Sequence, residues 1–368
     1  MGLCLALRVP KPSYLLSRLA PRRRPDAVFC QVLTHLAELY QLGEIQACHR
    51  APRSNSLNFI VVTPQGKFVF RRQNLSEDDV AYEQQVLDYL QRQEFPAPRM
   101  LLNADSQAWS VLDGSLYSVY EFMEGYCPAD FFWPPAARRE IITRCGRTLG
   151  EYHQAVADFV PSHCKWNGYH PTEHRRWRTG DWFREVLDDI RPLLERPGAS
   201  SPTDDFTRCH IDEIDRMLDL ESVVEERSDL SKLVIHGDYS PWNIRFRSGK
   251  SPAVLDFNES RLDLAIYDVV LATFWFAWRN GRLDQDRALA FQAGYCENGR
   301  LCEMDIRLAG SVFRWIMARS MAERLHIHYL QQRPLVGLPA VLEKQHRMCL
   351  FAEQQPQQLV VGLKGTVA

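Results

Sequence analysis

The spacing of apolar residues changes along the chain. Over 27–42 they recur at three- and four-residue steps, which predicts a helix. The segment 58–71 places β-branched and aromatic residues on both sides of a Pro-Gln-Gly turn, the pattern of a β-hairpin. A helical stripe returns over 77–93, and strand-like runs follow at 100–103 and 116–122. This first region is therefore expected to be mostly sheet with one internal helix.

Beyond Gly125 the periodicity is almost wholly helical, with a loop expected at 196–203. Helices are predicted at roughly 138–159, 180–195, 207–226, 264–280, 285–297 and 303–331. The expected organisation is an α+β fold with four segments. These are a basic extension (1–24), a sheet-rich N-lobe (25–122), a mostly helical C-lobe (123–354) and a weakly structured tail (355–368).

Composition narrows the possible functions. The 368 residues include 44 lysines and arginines against 46 aspartates and glutamates, a net charge of −2, so no basic field indicates nucleic acid. The sequence contains no run of 18 apolar residues, the length that would indicate a membrane-spanning helix. Ten scattered cysteines without a Cys-x-x-Cys pair favour reduced thiols and a cytoplasmic location. The Arg-rich start, 1–24, is interpreted as a surface extension, with an organelle-targeting peptide as the alternative.

One segment carries a pattern of chemistry-bearing residues. Two short apolar runs, 233–235 and 253–255, are each followed by acidic residues. Asp238 and Asn243 are five residues apart, the spacing of the catalytic loop of kinases, and Asp256-Phe257 occupies the place of the later metal-binding Asp-Phe pair. Phosphoryl transfer needs a carboxylate that accepts a hydroxyl proton and oxygen ligands for Mg²⁺. The segment therefore predicts Asp238 as the catalytic base and Asn243 and Asp256 as metal ligands.

The segment His236-Gly237-Asp238, followed by Asn243 and Asp256, resembles the aminoglycoside phosphotransferase family. That family also includes choline kinases and type II homoserine kinases. The resemblance implies a protein-kinase-like two-lobed fold, ATP and Mg²⁺ as cofactors, and a small-molecule hydroxyl as acceptor. It also implies that His236 is structural and that Asp268 holds the catalytic loop from beneath.

The resemblance implies nucleotide contacts in the N-lobe as well. Arg71 matches the cation that reaches the phosphates, and Glu83 matches its acidic partner. Alternation along the strand turns Arg71 toward the cleft and its rival Arg72 away from it. Lys67, the other rival, directly follows the turn and is expected to be solvated.

Two further nucleotide contacts are expected at the backbone. Ser54 and Asn55 lie in a polar loop before the hairpin, which could offer N–H and hydroxyl groups to phosphate or merely enter the hairpin. Glu121 and Met123 fall in the segment that resembles the kinase hinge, whose backbone would pair with adenine.

The acceptor is left open by the sequence. Residues 155–230 hold 17 acidic and 10 basic residues, which favours a cationic amino sugar, aminoglycoside or amino alcohol. The cluster 174–178 instead suits a carboxylate-bearing acceptor such as homoserine. A catalytically silent nucleotide-binding scaffold is a further alternative, whereas the short stretch between Asp256 and Asp268 leaves no room for a protein-kinase activation segment. Neither a nucleic-acid nor a membrane partner is expected, and the oligomeric state is undetermined.

Overall fold

The structure is a computed structural model, and it describes most of the chain. The described residues are 27–51, 57–130, 134–165, 168–172, 179–196, 198, 200–225, 229–333 and 335–363. The basic extension, Ser54, Asn55 and the cluster 174–178 lie outside them.

The N-lobe is built on one antiparallel sheet with strand order β1-β2-β3-β5-β4. Its elements are α1 (Ala27–Leu39), β1 (Ala47–Arg50), β2 (Asn58–Thr63), β3 (Gly66–Arg72), α2 (Glu77–Arg92), β4 (Ser110–Leu112) and β5 (Ser115–Glu121). Alternation along β3 buries Phe68 and Phe70 on the face that packs with Leu33 and Leu36 of α1. The opposite face, which carries Val69 and Arg71, is turned toward the second lobe.

Helix α2 covers this second face of the sheet. Ser76 caps its N-terminus by accepting a hydrogen bond from the Asp79 N–H, and three acidic residues in the first turn complement the helix dipole. Its buried stripe, which includes Val80, Val86 and Leu90, belongs to the same hydrophobic core as the C-lobe. The helix is therefore anchored to both lobes, and it carries Glu83 into the space between them.

The strand expected at 100–103 is absent, which corrects the sequence interpretation. Met100 forms an isolated bridge with Tyr120, and the Leu101 N–H donates to the Val119 carbonyl, but no regular strand develops. The regular strand β4 pairs with residues 115–117 of β5. Asp113 and Gly114, both at positive φ, form a two-residue turn that places β4 directly beside β5.

The C-lobe is mostly helical, with short strands that frame the loop after residue 235. Its elements are α3 (Pro135–Ala155), α4 (Gly180–Leu194), α5 (Pro202–Leu218), α6 (Leu220–Glu225), β6 (Lys232–Ile235), β7 (Ile244–Arg245), β8 (Ala253–Val254), β9 (Arg261–Leu264), α7 (Ala265–Ala277), β10 (Trp278–Arg279), β11 (Arg282–Leu283), α8 (Gln285–Tyr295), α9 (Glu303–Leu325) and α10 (Leu338–Gln354). Strand β6 pairs with β9, and β7 pairs with β8.

Three C-lobe expectations need correction. The stretch 207–226 is two helices, α5 and α6, and the sequence patterns did not predict α10. The segment from 355 to 363 is ordered rather than weakly structured. It forms a 3-10 turn at Pro356–Leu359, and the buried Gln292 accepts the Gly362 N–H and donates to the Leu359 carbonyl. These two hydrogen bonds attach the segment to α8.

The C-lobe core is rich in aromatic side chains. Phe274 of α7 stacks on Phe313 of α9 with ring centroids 4.0 Å apart, and Phe276 stacks on Phe291 of α8 at 5.0 Å. Burial of such rings is the main stabilising contribution to a helical lobe. Among the described residues, no helix combines the length and hydrophobicity that a bilayer span requires.

Candidate active site

The loop after β6 is shaped by one glycine. Gly237 has φ = +82°, a backbone conformation that side chains disfavour. A Cβ atom there would lie 2.4 Å from the Glu259 carbonyl oxygen. The close approach of residues 237 and 259 brings the loop that carries Asp238 against the loop that follows β8.

Asp268, in the first turn of α7, fastens this loop from below. Its carboxylate accepts the N–H groups of His236 at 2.7 Å and Gly237 at 2.8 Å, and His153 Nε2 lies 3.3 Å from it. Burial alone would raise the pKa of Asp268, but the hydrogen bond from His153 and the backbone donors lower it below its ordinary value. Asp268 is thus a buried anion with three donors around it, the position expected from the sequence.

His236 connects the two acidic segments. Its Nδ1 accepts the Asp238 N–H at 3.2 Å, and its Nε2 donates to the Leu255 carbonyl at 3.0 Å. Complete burial lowers the pKa of His236, so the ring is held as a neutral imidazole. With both ring nitrogens engaged by backbone groups, His236 positions Asp238 beside the residue that precedes Asp256.

Asp238 and Asn243 are joined by the Asn243 amide. Nδ2 of Asn243 donates to the backbone carbonyl of Asp238 at 2.9 Å and to its Oδ2 at 3.1 Å. This orientation directs the amide oxygen of Asn243 away from Asp238. Burial and the nearby carboxylates of Asp256 and Glu259 raise the pKa of Asp238 to about 7. The site is therefore crowded with negative charge.

Asp256 is contacted from the other lobe by Arg71. The Arg71 Nη2 atom lies 2.6 Å from Asp256 Oδ1, while Nη1 lies 3.9 Å from Glu83 Oε1. Asp256 itself has φ = +68° and ψ = 66°, a left-handed conformation that aspartate tolerates at a cost. Burial lowers the pKa of Arg71, but Asp256 and Glu83 raise it by more, so the guanidinium stays charged.

The two rival cations of β3 lie away from this cluster. Alternation along the strand accounts for Arg72, which is on the opposite face, whereas Lys67 shares the face of Arg71 but directly follows the turn. Arg72 is exposed, and Lys67 pairs at the surface with Glu124 at 2.6 Å. The expected Arg71–Glu83 pair is present, with a Glu83 side chain only 1% exposed.

Sequence reasoning missed Tyr120. Its hydroxyl donates to Glu83 Oε2 at 3.0 Å and accepts from Gln73 Nε2 at 2.9 Å, and its ring lies under the Arg71 guanidinium at 5.6 Å. The hydroxyl fixes the Glu83 carboxylate. The alternation along β5 could have indicated that Tyr120 shares the cleft-facing side of the sheet.

Lys165 was also missed. It is 3% exposed, and its Nζ donates to the Asn258 carbonyl in the loop after Asp256. Burial lowers the pKa of Lys165, and the carboxylates of Glu259 and Glu83 oppose that effect. Because Lys165 lies far along the chain from all of these residues, no local pattern in the sequence indicates this contact.

The remaining predicted nucleotide residues are not part of this cluster. Ser54 and Asn55 lie outside the described residues. Glu121 ends β5, and its N–H donates to the Arg99 carbonyl at 2.9 Å. Met123 is half-buried two residues further on, where the chain passes between the lobes.

Aromatic and basic groups extend from the loop after β6, beginning at Trp242. Trp242, immediately before Asn243, is 46% exposed, and its ring meets that of Trp275 edge-on at 6.1 Å. Lys344 Nζ of α10 lies 4.9 Å from the Trp275 ring. Arg279 lies close enough to Lys344 to lower its pKa further than burial alone does. These four residues, which we term the Trp242 wall, adjoin the catalytic loop.

The acidic residues of 155–230 are in part engaged by arginines. Many of those in α4 and α5 form ion pairs between the two helices. Arg184 pairs with Asp219 at 2.8 Å and Arg191 with Asp215 at 3.1 Å. These pairs engage part of the acidic charge that the composition counts.

Comparison with known proteins identifies this arrangement. The model of the phosphotransferase enzyme family matches residues 49–301. The chain belongs to this family. The match spans both lobes, from β1 to the residues before α9. The resemblance seen in the sequence is confirmed, and with it the class of enzyme, a phosphotransferase with an alcohol group as acceptor.

Individual relatives are distant. A homoserine kinase of Zymomonas mobilis subsp. mobilis is 22% identical over 274 residues, covering 72% of this chain and 77% of that protein. A homoserine kinase of Bradyrhizobium sp. (strain BTAi1) is 24% identical over 302 residues, covering 78% and 82%.

Solved structures share the fold. An amicoumacin kinase in complex with AMP-PNP and Ca²⁺ has a TM-score of 0.61 at 13% identity, covering 89% of this chain and 93% of its own. A spectinomycin phosphotransferase in complex with ADP and spectinomycin has a TM-score of 0.59 at 11% identity, covering 89% and 98%. The predicted two-lobed α+β fold is confirmed.

Proposed function

We propose that this protein transfers the γ-phosphoryl group of ATP to a hydroxyl of a small amino-bearing molecule, with Mg²⁺ as the metal. The observation that carries the proposal is the Arg71–Asp256 contact across the cleft, next to the Asp238–Asn243 pair. One cleft thus holds a cation for phosphate, a carboxylate with a raised pKa and two oxygen groups suited to a hard metal ion.

Asp238 would act as the base. A general base works best when its pKa lies near the working pH, and the pKa of about 7 meets that condition. Asp268 and His236 hold its backbone, and Asn243 holds its side chain. Asp238 would accept the proton of the acceptor hydroxyl as the oxygen attacks phosphorus.

The residues present also fit a magnesium ion. Asn243 and Asp256 would supply an amide and a carboxylate oxygen, the ligand types that Mg²⁺ prefers. The carboxylates of Asp256 and Glu259 near Asp238 concentrate negative charge there, which supports a bound cation at this place. A bound Mg²⁺ would neutralise charge on the phosphates during transfer.

Arg71 would contact the nucleotide phosphates, with Glu83 and Tyr120 fixing its direction. We assign adenine to the backbone of Glu121 and Met123; since the Glu121 N–H is already bonded, its carbonyl is the group available there. Ser54 and Asn55 are proposed as further phosphate contacts. The nine cysteines in the described ranges form no disulfide, and we propose the cytoplasm as the location.

A hydroxy amino acid, such as homoserine, is the second candidate acceptor. The Trp242 wall favours it, because Lys344 and Arg279 would attract a carboxylate, whereas an acceptor with amino groups alone gains nothing from them. The homoserine kinases among the relatives support the same candidate.

An ADP-release assay over aminoglycosides, amino alcohols and hydroxy amino acids tests both the phosphotransferase activity and the choice of acceptor. For a hydroxy amino acid, Lys344→Gln should raise the Michaelis constant by roughly ten-fold or more, since a charge-assisted contact contributes about 1.5–3 kcal/mol. Arg347→Gln, also exposed on α10, is the matched control and should change little. Equal behaviour of the two variants would reject the carboxylate assignment, and ATP binding without turnover on any acceptor would favour the scaffold.

A further inference from the structure

A separate cluster of metal-binding side chain types lies between α5 and α10. His210 and Glu213 are three residues apart on α5, a spacing that places both on one helix face. His346 faces them from α10. One ligand atom from each of the three side chains lies within 4.8 Å of the other two. None of the three residues belongs to the Arg71–Asp256 cluster or to the Trp242 wall.

The contacts within the cluster converge on one carboxylate oxygen. Glu213 Oε2 lies 2.8 Å from His346 Nε2 and 3.5 Å from His210 Nδ1. The two imidazole rings face each other with centroids 4.0 Å apart and planes inclined by 40°. Phe206 packs against both rings, at 4.7 Å from His210 and 6.1 Å from His346. Two nitrogen donors and one oxygen donor thus share a small space beside an apolar wall.

The burial of these side chains suits a ligand set. The exposed fractions are 29% for His210, 25% for Glu213 and 12% for His346, so the donors are shielded but one side stays open to solvent. Burial and the neighbouring His346 lower the pKa of His210, which favours the neutral imidazole that binds metal.

We propose that His210, Glu213 and His346 bind one divalent transition-metal cation of the Zn²⁺ type, with water as the fourth ligand. Two imidazoles and one carboxylate are a three-ligand zinc set, and Zn–N and Zn–O distances of about 2.0–2.2 Å place such ligands at separations that this cluster reaches with small side-chain movements. Mg²⁺ would not compete, because it prefers an octahedron of oxygen ligands. The ion would join α10 to α5.

The test is zinc binding to the full-length protein, freed of metal and dialysed into excess Mg²⁺ so that any oxygen-ligand site is occupied. Equilibrium dialysis with metal analysis should give one Zn²⁺ per chain, and Co²⁺ in its place should give the visible absorption of four-coordinate cobalt. Zn²⁺ should also raise the thermal unfolding midpoint, because a ligand that binds the folded state stabilises it.

Loss of a residue that only supports a metal ligand weakens metal binding by roughly 10–100-fold. His346→Gln and Glu213→Gln each remove a direct ligand, so each should weaken zinc binding by more than this. His35→Gln is the matched control. His35 Nδ1 and Glu38 Oε2 form a similar pair on α1, 3.5 Å apart, but both side chains are exposed. Within the described residues, no third metal-binding side chain completes a group with this pair. Circular dichroism establishes that each variant is folded. Zinc binding is measured separately for His346→Gln and Glu213→Gln, so either folded variant suffices for the test.

Wild-type protein that takes up no Zn²⁺ in the presence of Mg²⁺ would overturn the proposal. So would Zn²⁺ uptake that neither cluster variant reduces, since the ion would then lie elsewhere. Catalytic turnover with Mg²⁺ and ATP is not expected to change in His346→Gln, so failure of the zinc site and failure of the proposed kinase activity are separate results.

Discussion

The Arg71 guanidinium of the N-lobe lies 2.6 Å from the Asp256 carboxylate of the C-lobe. This ion pair crosses the cleft and joins a residue assigned to the nucleotide phosphates with a residue assigned to the metal. Both groups are only partly exposed, at 11% and 34%, so the attraction between them is weakly screened. A magnesium-bound nucleotide would compete for both partners, so the pair would separate as the assigned contacts form.

Arg71→Ala should raise the apparent Michaelis constant for ATP by roughly ten-fold or more, because a charge-assisted hydrogen bond contributes about 1.5–3 kcal/mol. Steady-state kinetics with varied ATP measures the effect. Arg72→Ala is the control on the same strand, and its exposed side chain on the opposite face should leave the constant nearly unchanged. A larger effect at Arg72 would contradict the assignment of the nucleotide site.

Substitutions at Asp238 and Asp256 should affect different steps, turnover in one case and nucleotide binding in the other. Asp238→Asn should lower turnover by roughly two to four orders of magnitude, the scale of a lost general base, and leave nucleotide affinity almost unchanged. Asp256→Ala should weaken the binding of magnesium-nucleotide instead. Calorimetric titration with an ATP analogue and Mg²⁺ separates the two, and identical titrations for both variants would show that the roles of base and metal ligand are misassigned.

Asp238→Asn should also stabilise the metal-free protein at alkaline pH. The folded-state pKa of about 7 exceeds the ordinary 3.8, so the folded wild type holds a proton more tightly than the unfolded chain. The stability contributed by this group therefore falls as pH rises from about 4 to about 7 and then levels off. Thermal unfolding in a chelator should show a higher midpoint for the variant at pH 8 and a shrinking difference toward pH 4. A lower midpoint at pH 8 would contradict the crowding of negative charge.

Asp268→Asn should destabilise the fold by roughly 3–5 kcal/mol, because it removes one partner from a buried pair with His153 and weakens two backbone hydrogen bonds. Urea unfolding measures the change. Asp286→Asn, an exposed position on α8, is the control and should stay within about 0.5 kcal/mol of wild type. A near-neutral Asp268→Asn would mean that the catalytic loop does not depend on this anchor.

The parts of the fold that the sequence predicted are those set by local periodicity. Alternation along β3 indicated that Phe68 and Phe70 face one side and Arg71 the other, and the structure has this arrangement. The strand expected at 100–103 is reduced to a bridge from Met100 to Tyr120, although the Leu101 N–H bonds to β5 as well. The regular strand β4 pairs with a different part of β5, residues 115–117.

The residues of the site also divide into those that local sequence spacing indicates and those that only tertiary packing brings together. The five-residue spacing of Asp238 and Asn243 is a local feature, so the sequence indicated it. Tyr120 and Lys165 reach the cleft only through tertiary packing, as partners of Glu83 and Asn258 that are distant in the chain. The acidic composition of 155–230 is informative only in part for a related reason, since charge counted along the chain does not show which carboxylates are paired across two helices.

The proposed reaction of this cleft is phosphoryl transfer from ATP to a small hydroxyl acceptor, with Asp238 as the base. Its most direct measurement is ³¹P NMR of the complete reaction with the acceptor that gives the fastest ADP release. We expect one phosphate ester on the acceptor for each ADP formed by the wild type, and almost none with Asp238→Asn. Phosphate released into water at the same rate with and without acceptor, or an equal yield of ester from the variant, would contradict it.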